Sequence, residues 1–322
     1  MHVLQLSRGV KEVVSWKDFE WFGHHKLFRI IRFEAKIIND EPLRVGAGKA
    51  TSTFEPVDLT VVKIFNPKIN KYVPFIPGSS WKGVFRAHAV RIAKSHGLDK
   101  VCEGVPQSTC LTGNEFHEYE RKGIDEKTKI ELIMQGSIRS CLLCLVFGTP
   151  SILSHIVFHD SMPIEEPILG YRTMVAISRR TGAASPRALY AVEYIEPGSR
   201  FTFTMEAINL PNYVIGLLMT IIEHLNLGLV KVGGMKTRGF GKIHFEDIKL
   251  NVLAIHKEYG IVDGVLRALD PIDKDVKWGE VPILQGEEAK KAMGEFIQIW
   301  KDTIPQLKKV NDNEWRWSII GE

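Results

Sequence analysis

Apolar and polar residues alternate without a break from Ile31 to Ile37. Ile31, Phe33, Ala35 and Ile37 share one face and Arg32, Glu34 and Lys36 the other. A period of two predicts a half-buried strand. The same alternation returns at Phe201, Phe203 and Met205 against Thr202, Thr204 and Glu206, just after the turn residues Glu196-Pro-Gly-Ser. It returns again at Ile243 and Phe245 against His244 and Glu246, and Ile156 to His159 begins a further strand. Two stretches have a helical period instead. Pro74 to Arg86 reads as a turn, an N-cap serine and a helix start, with Trp81, Val84, Phe85, His88, Ala89 and Ile92 as its buried stripe. Val214, Leu217, Leu218, Ile221, Ile222 and Leu225 form a second stripe, with Pro211 at its start and Gly228 just past its end.

The order strand, helix, strands, helix, strand predicts an α+β fold with a ferredoxin-like (RRM-like) βαββαβ core. That core takes residues 26–250. A polar stretch of weak periodicity, about 97–145, reads as an insertion within it. Residues 1–25 form an N-terminal extension with no clear pattern. Residues 251–322 form a C-terminal extension that packs on the core or on a neighbour; within it, Ala292, Phe296, Ile299 and Trp300 fall near one face of a helix in Glu287–Leu307.

Composition narrows the class. With 322 residues, 44% of them hydrophobic, the chain has ample core for one elaborate domain or two smaller ones. A net charge of +4 is too small to establish a polyanionic partner, so that case rests on local clustering. Clustering is present: no acid falls between Glu166 and Glu193, while Arg172, Arg179, Arg180 and Arg187 do. The N-terminus does not read as a signal peptide. The longest apolar run, Val214–Ile222, is interrupted by Gly216 and Thr220 and is too short to span a membrane. A cytoplasmic protein with no membrane contact is expected, with its cysteines reduced.

Candidate chemistry gathers in three places. Gly233-Gly-Met-Lys-Thr-Arg-Gly-Phe-Gly-Lys242 mixes four glycines with Lys236, Arg238 and Lys242. Glycine allows sharp turns and close approach to a ligand; the cations give that approach a positive field, and Phe240 is expected to offer a face for base stacking. Second, Ser79, Ser80, Lys82 and Arg86 stand at the expected start of the first helix, where free N–H groups and two cations suit a phosphate. The lookalike Gly46-Ala-Gly-Lys-Ala-Thr51 is not a P-loop, because the glycine expected five residues before Gly48 is Leu43. Third, all four cysteines lie between 102 and 144. Cys141 and Cys144 have knuckle spacing, and Cys102 and Cys110 make a second pair. Four thiolates suit a closed structural zinc site, and a metal staple would serve an insertion poor in apolar residues. His117 in place of Cys110, a redox-active Cys-x-x-Cys, and free buried thiols are the alternatives.

Three segments in order, Pro77-Gly-Ser-Ser-Trp-Lys-Gly-Val-Phe-Arg86, Leu145-Val-Phe-Gly148 and the glycine loop 233–242, resemble the RAMP superfamily of CRISPR-associated proteins. The resemblance covers roughly residues 28–250 and is greatest to the backbone subunits of type III effector complexes, of the Csm and Cmr kind. It implies a subunit that binds guide RNA, polymerises along it beside other effector subunits or copies of itself, and meets complementary target RNA. It also implies a thumb hairpin, about residues 172–195, carrying Arg179 and Arg180. The loop after the family's first strand carries an aspartate for metal-dependent cleavage of target RNA, with a divalent ion such as Mg. Here that position falls on Asp58, although the family's proline two residues later is replaced by Thr60, and Glu55 is a carboxylate nearby. Two other members of the superfamily's repertoire compete. One is a non-catalytic subunit capping the filament, which the C-terminal extension suits. The other is a guide-processing endoribonuclease, which needs a histidine centre from His24, His25, His155 or His159. An unrelated RRM-like module is the reading outside the family.

Overall fold

The alternation at Ile31–Ile37 lies in β1 (Arg29–Asn39), which buries Ile31, Phe33 and Ile37. The computed structural model describes residues 16–46, 57–105, 108–110, 123–150 and 152–308. A short hairpin, β2 (Lys63–Asn66) and β3 (Lys71–Pro74), leads into α1 (Gly78–Ser95). Next come α2 (Glu126–Met134), α3 (Leu142–Phe147) and β4 (Ile156–Phe158). A long hairpin, β5 (Leu169–Ile177) and β6 (Ala184–Ile195), forms its own two-stranded sheet. The chain then makes β7 (Arg200–Ile208), α4 (Asn212–Asn226) and β8 (Ile243–Ala254). Beyond these lie a small sheet of β9 (Ile261–Val262), β10 (Val265–Leu266) and β11 (Val276–Lys277), then β12 (Ile283–Gln285) and α5 (Gly286–Leu307).

The fold is α+β. Its central sheet runs β12-β8-β1-β7-β4, with antiparallel neighbours throughout. Phe33 stands opposite Met205 on one side and Leu250 on the other, so a single apolar layer crosses three strands. Trp81 of α1 packs edge-on against Phe203 at 5.1 Å, and Phe203 meets Phe245 at 5.0 Å. α4 is buried over nearly its whole length because α5 covers its outer side. The two helices approach closely at Gly216, where a Cβ would lie 2.0 Å from the Phe296 carbonyl oxygen.

Three sequence expectations change. The N-cap of α1 is Pro77 rather than a serine, and the Gly78 N–H donates to the Asp160 carboxylate at 2.7 Å. That carboxylate occupies one of the N–H groups expected to be free. In α1, Trp81, Phe85, Ala89 and Ile92 are buried, but Val84 and His88 are only half-buried. The third concerns only where the core ends, since the C-terminal extension packs on the core, one of the two arrangements expected. Trp16–Phe22 forms a 3-10 helix that drives Phe19, Trp21 and Phe22 into the core, while β12 and α5 complete the sheet edge and the helical layer. The pattern change placed at residue 251 lies inside β8, which continues to Ala254.

A buried polar network fastens the C-terminal segment. Arg29 is fully buried and donates to the carbonyls of Leu210 and Arg267 and to Asn212. Asp273 accepts from the N–H groups of Asn212 and Tyr213, so a residue from the extension caps α4. Asp270 accepts from the Trp21 indole and the Tyr213 hydroxyl. Burial, then the neighbouring Asp273, pushes the Asp270 carboxyl up to about 7. A native state that holds this proton more tightly than the unfolded chain gains stability as pH falls. The gain is complete below about pH 4 and is lost as pH rises through about 7. Thermal melts should therefore show on the order of 1 kcal/mol more stability from this group at pH 6 than at pH 8. Asp270→Asn should flatten that difference; an unchanged pH profile would rule the assignment out.

Candidate functional site

One face of α1, the glycine loop and the segment after β1 enclose a groove of about 680 Å³. Ser80, Gly83, Ala87 and Arg91 recur at spacings of three or four, which puts them on one helical face. Small side chains at the first three leave the space, and Arg91 lines it one turn further along the helix. Gly233, Gly234 and Lys236 form the opposite wall, with Arg44, Val45 and Gly46 beside them. The loop is held by backbone contact. The Gly234 N–H donates to the Arg44 carbonyl at 2.8 Å. Gly233, at φ +79°, lies so close that a Cβ would be 2.3 Å from that same oxygen.

Among the described residues that line this groove none is acidic, whereas Arg44, Arg91 and Lys236 are all basic. Desolvation, then repulsion from Arg91, lowers the Lys236 ammonium below the ordinary lysine range. Desolvation lowers Arg44 in the same way. Cations held together without an acid between them raise each other's energy, and a bound polyanion relieves that cost. His88 also faces the groove. Its Nε2 lies 2.8 Å from His224 Nδ1, and burial pushes it down to about 4, so it is neutral at physiological pH.

The residues singled out from sequence separate here. Ser80 and Lys236 line the groove. Ser79 is exposed at the start of α1, and Lys82 is half-buried one turn along, lowered by desolvation and then by Arg86. Arg238 is exposed and donates to the Tyr190 hydroxyl of β6 at 2.8 Å, tying the loop to the hairpin. Lys242 pairs with Asp40 at 3.5 Å. Arg179 and Arg180 are exposed at the hairpin tip, which Ser178 and Ala183 close by a hydrogen bond. Two expectations are corrected. Phe240 is fully buried and stacks no base; its ring lies 5.2 Å under the Arg172 guanidinium. Arg86 turns inward, away from the groove, onto the cysteines. The sequence reading also missed Arg44 and Arg91; the helical spacing from Ser80 was the signal for Arg91.

Asp58 is exposed at the base of the hairpin. Its Oδ2 accepts from the Ala191 N–H at 2.7 Å, and Leu59 bridges to Val192 beside it. Glu193 is the buried carboxylate nearby, accepting from Val61 N and Lys63 Nζ. Glu55 and His117 lie outside the described residues. Of the candidate histidines, His24, His155 and His159 make no hydrogen bond to another histidine among the described residues. His155 is buried, is pushed down to about 4 by that burial, and stacks on His24 at 3.9 Å. His159 sits 3.7 Å from Glu206.

The four cysteines converge. The sulfurs of Cys102, Cys110, Cys141 and Cys144 all lie within 4.8 Å of one another, and Cys102 and Cys144 are 3.0 Å apart. Tetrahedral zinc with bonds of 2.3 Å spaces its sulfurs by about 3.8 Å. The donor set therefore suits zinc in number, chemistry and separation. Hydrogen bonding with Cys110, then Cys141 and Cys144, pulls the Cys102 thiol down, and its counterpart pushes Cys110 up. Among the described residues no thioredoxin-like frame surrounds the pair at 141 and 144; Cys141 instead holds the N-cap position of the six-residue α3.

No helix among the described residues is long and apolar enough to cross a membrane. A comparison with curated proteins finds no match. The RAMP superfamily model matches residues 36–244, a span that runs from β1 through α1, the cysteines, the hairpin and the glycine loop into β8. The chain belongs to the RAMP superfamily of CRISPR-associated proteins.

Proposed function

We propose that this chain is the guide-RNA-binding subunit of a type III CRISPR interference complex. The observation that carries the proposal is the groove between α1 and the glycine loop, whose described lining holds three cations and no acid. Contacts there reach phosphates rather than base edges, so binding is largely independent of sequence, and target selection is left to base pairing. The sheet order β8-β1-β7-β4, with α1 and α4 as the crossovers, supports a ferredoxin-like core. The β5–β6 hairpin, with Arg179 and Arg180 at its tip, takes the part of the thumb. A structural zinc held by Cys102, Cys110, Cys141 and Cys144 fastens the insertion to α1.

Cleavage of target RNA is assigned to Asp58. Its second oxygen is open to a hydrated divalent ion such as Mg, with RNA phosphates as further ligands. The assembled complex carrying Asp58→Ala should hold complementary RNA as the wild type does and leave it intact. Regular cutting by that variant would make Asp58 structural. The second reading, a non-catalytic capping subunit, is favoured by Thr60 in place of the family's proline. It is also favoured because Asp58 belongs to no group of three or more potential metal ligands among the described residues. A wild-type complex that never cuts in the presence of Mg selects it.

A further inference from the structure

Arg86 ends the first of the three segments that mark the family, and Gly148 ends the second. The two meet. Arg86 Nη1 donates to the Gly148 carbonyl at 2.6 Å. Arg86 Nη2 points at two cysteine sulfurs, 3.4 Å from Cys144 and 3.7 Å from Cys102. The space for this guanidinium is built in. Gly104 lies flat beneath it at φ +74°, and a Cβ there would stand 2.0 Å from Arg86 Cζ. The side chain is half-buried, and its Nε has no partner. A cation is thus carried inward from a basic helix face, with one fork arm on backbone and the other on sulfur.

Four thiolates around a divalent zinc leave two net negative charges in a buried place, and such charge is costly without a partner. Groups that hydrogen-bond to metal ligands set their orientation and the affinity of the site. We infer that Arg86 is a positioning residue of the metal centre: it neutralises the thiolates, fixes the rotamers of Cys102 and Cys144, and locks α1 to the Leu145–Gly148 segment. This inference rests on the zinc reading above. It removes Arg86 from the RNA-contacting set and gives the first family segment two duties, with Ser80 facing the groove and Arg86 facing the metal.

The test is zinc affinity by competition with a chromophoric chelator, on the full chain. Arg86→Ala should retain zinc as purified but bind it about 10- to 100-fold more weakly. Arg86→Lys keeps the charge without the fork and should recover only part of that loss. RNA affinity of the zinc-loaded Arg86→Ala protein should stay within about twofold of wild type, whereas Lys236→Ala, in the groove wall, should weaken RNA binding and leave zinc affinity unchanged. Equal zinc affinity in Arg86→Ala and wild type overturns the inference while leaving the zinc site standing. Wild-type protein that holds no zinc overturns both. If Arg86→Ala fails to fold, zinc affinity in Gly104→Ala, which crowds the same guanidinium, decides: wild-type affinity there contradicts the inference.

Discussion

Replacing Cys141 and Cys144 together by serine is expected to strip the chain of zinc and to lower its melting temperature by about 10 °C or more. The insertion explains the size. Apart from α2, which docks Ile130 and Ile133 inward, the described residues between α1 and α3 bury little apolar surface of their own. Zinc bound by four thiolates contributes its binding free energy directly to folding, and values for small zinc modules reach about 10 kcal/mol or more. Only part of that falls on the global transition here, because the sheet and α4 form a core without it. Several kcal/mol across a domain of this size still corresponds to roughly ten degrees. Elemental analysis of wild type should find about one zinc per chain, and prolonged chelation should reproduce the melting behaviour of the double variant. Metal-free wild type with the same melting temperature would contradict the assignment.

The second large effect is on RNA. Alanine at Arg44, Arg91 and Lys236 together should weaken binding of guide-length RNA on the order of 100-fold near 0.1 M salt. Each phosphate contact on a single strand contributes about 0.7 to the slope of log affinity against log salt, so losing three should reduce that slope by about 2. The loss should be the same for unrelated sequences, because phosphates carry no sequence information. Arg238→Ala is expected to act differently. Its guanidinium holds Tyr190 of β6, so part of its effect passes through the placement of the hairpin.

Much of the frame was legible in the chain. β1, β7 and β8 followed from period-two alternation, and α4 from its stripe, since burial on one side enforces those periods. The helix start at Gly78 was found, but its capping was misread: serines stand in the right place, yet Asp160, far along the chain, supplies the carboxylate. The extensions were opaque for a different reason. Phe19, Trp21 and Phe22 crowd a 3-10 turn, and the small strands β9–β11 are two residues each, too short for any period to register. In the site, composition located the glycine loop and the cysteines, because those residue types are costly to gather without a use. It could not tell which way a side chain points. Phe240 read as exposed because cations flank it, but its neighbours in space are Arg172 and Tyr194. Arg86 read as an RNA contact because it shares a side of α1 with Lys82 four positions earlier; residue type and spacing could not show that its guanidinium reaches the cysteine sulfurs. Arg44 belonged to the groove only through the backbone pairing of Gly234, which no local pattern announces.

The most direct test of the groove is photochemical. The full chain is mixed with guide-length RNA carrying 4-thiouridine, irradiated, digested and read by mass spectrometry. Cross-links are expected on two peptides far apart in sequence, within residues 78–91 and 233–242, and the same two should appear with a second RNA of unrelated sequence. Cross-links confined to the charged outer depression at Lys36, Asp247 and Lys249, or changing place with RNA sequence, would contradict a phosphate-reading groove between α1 and the glycine loop.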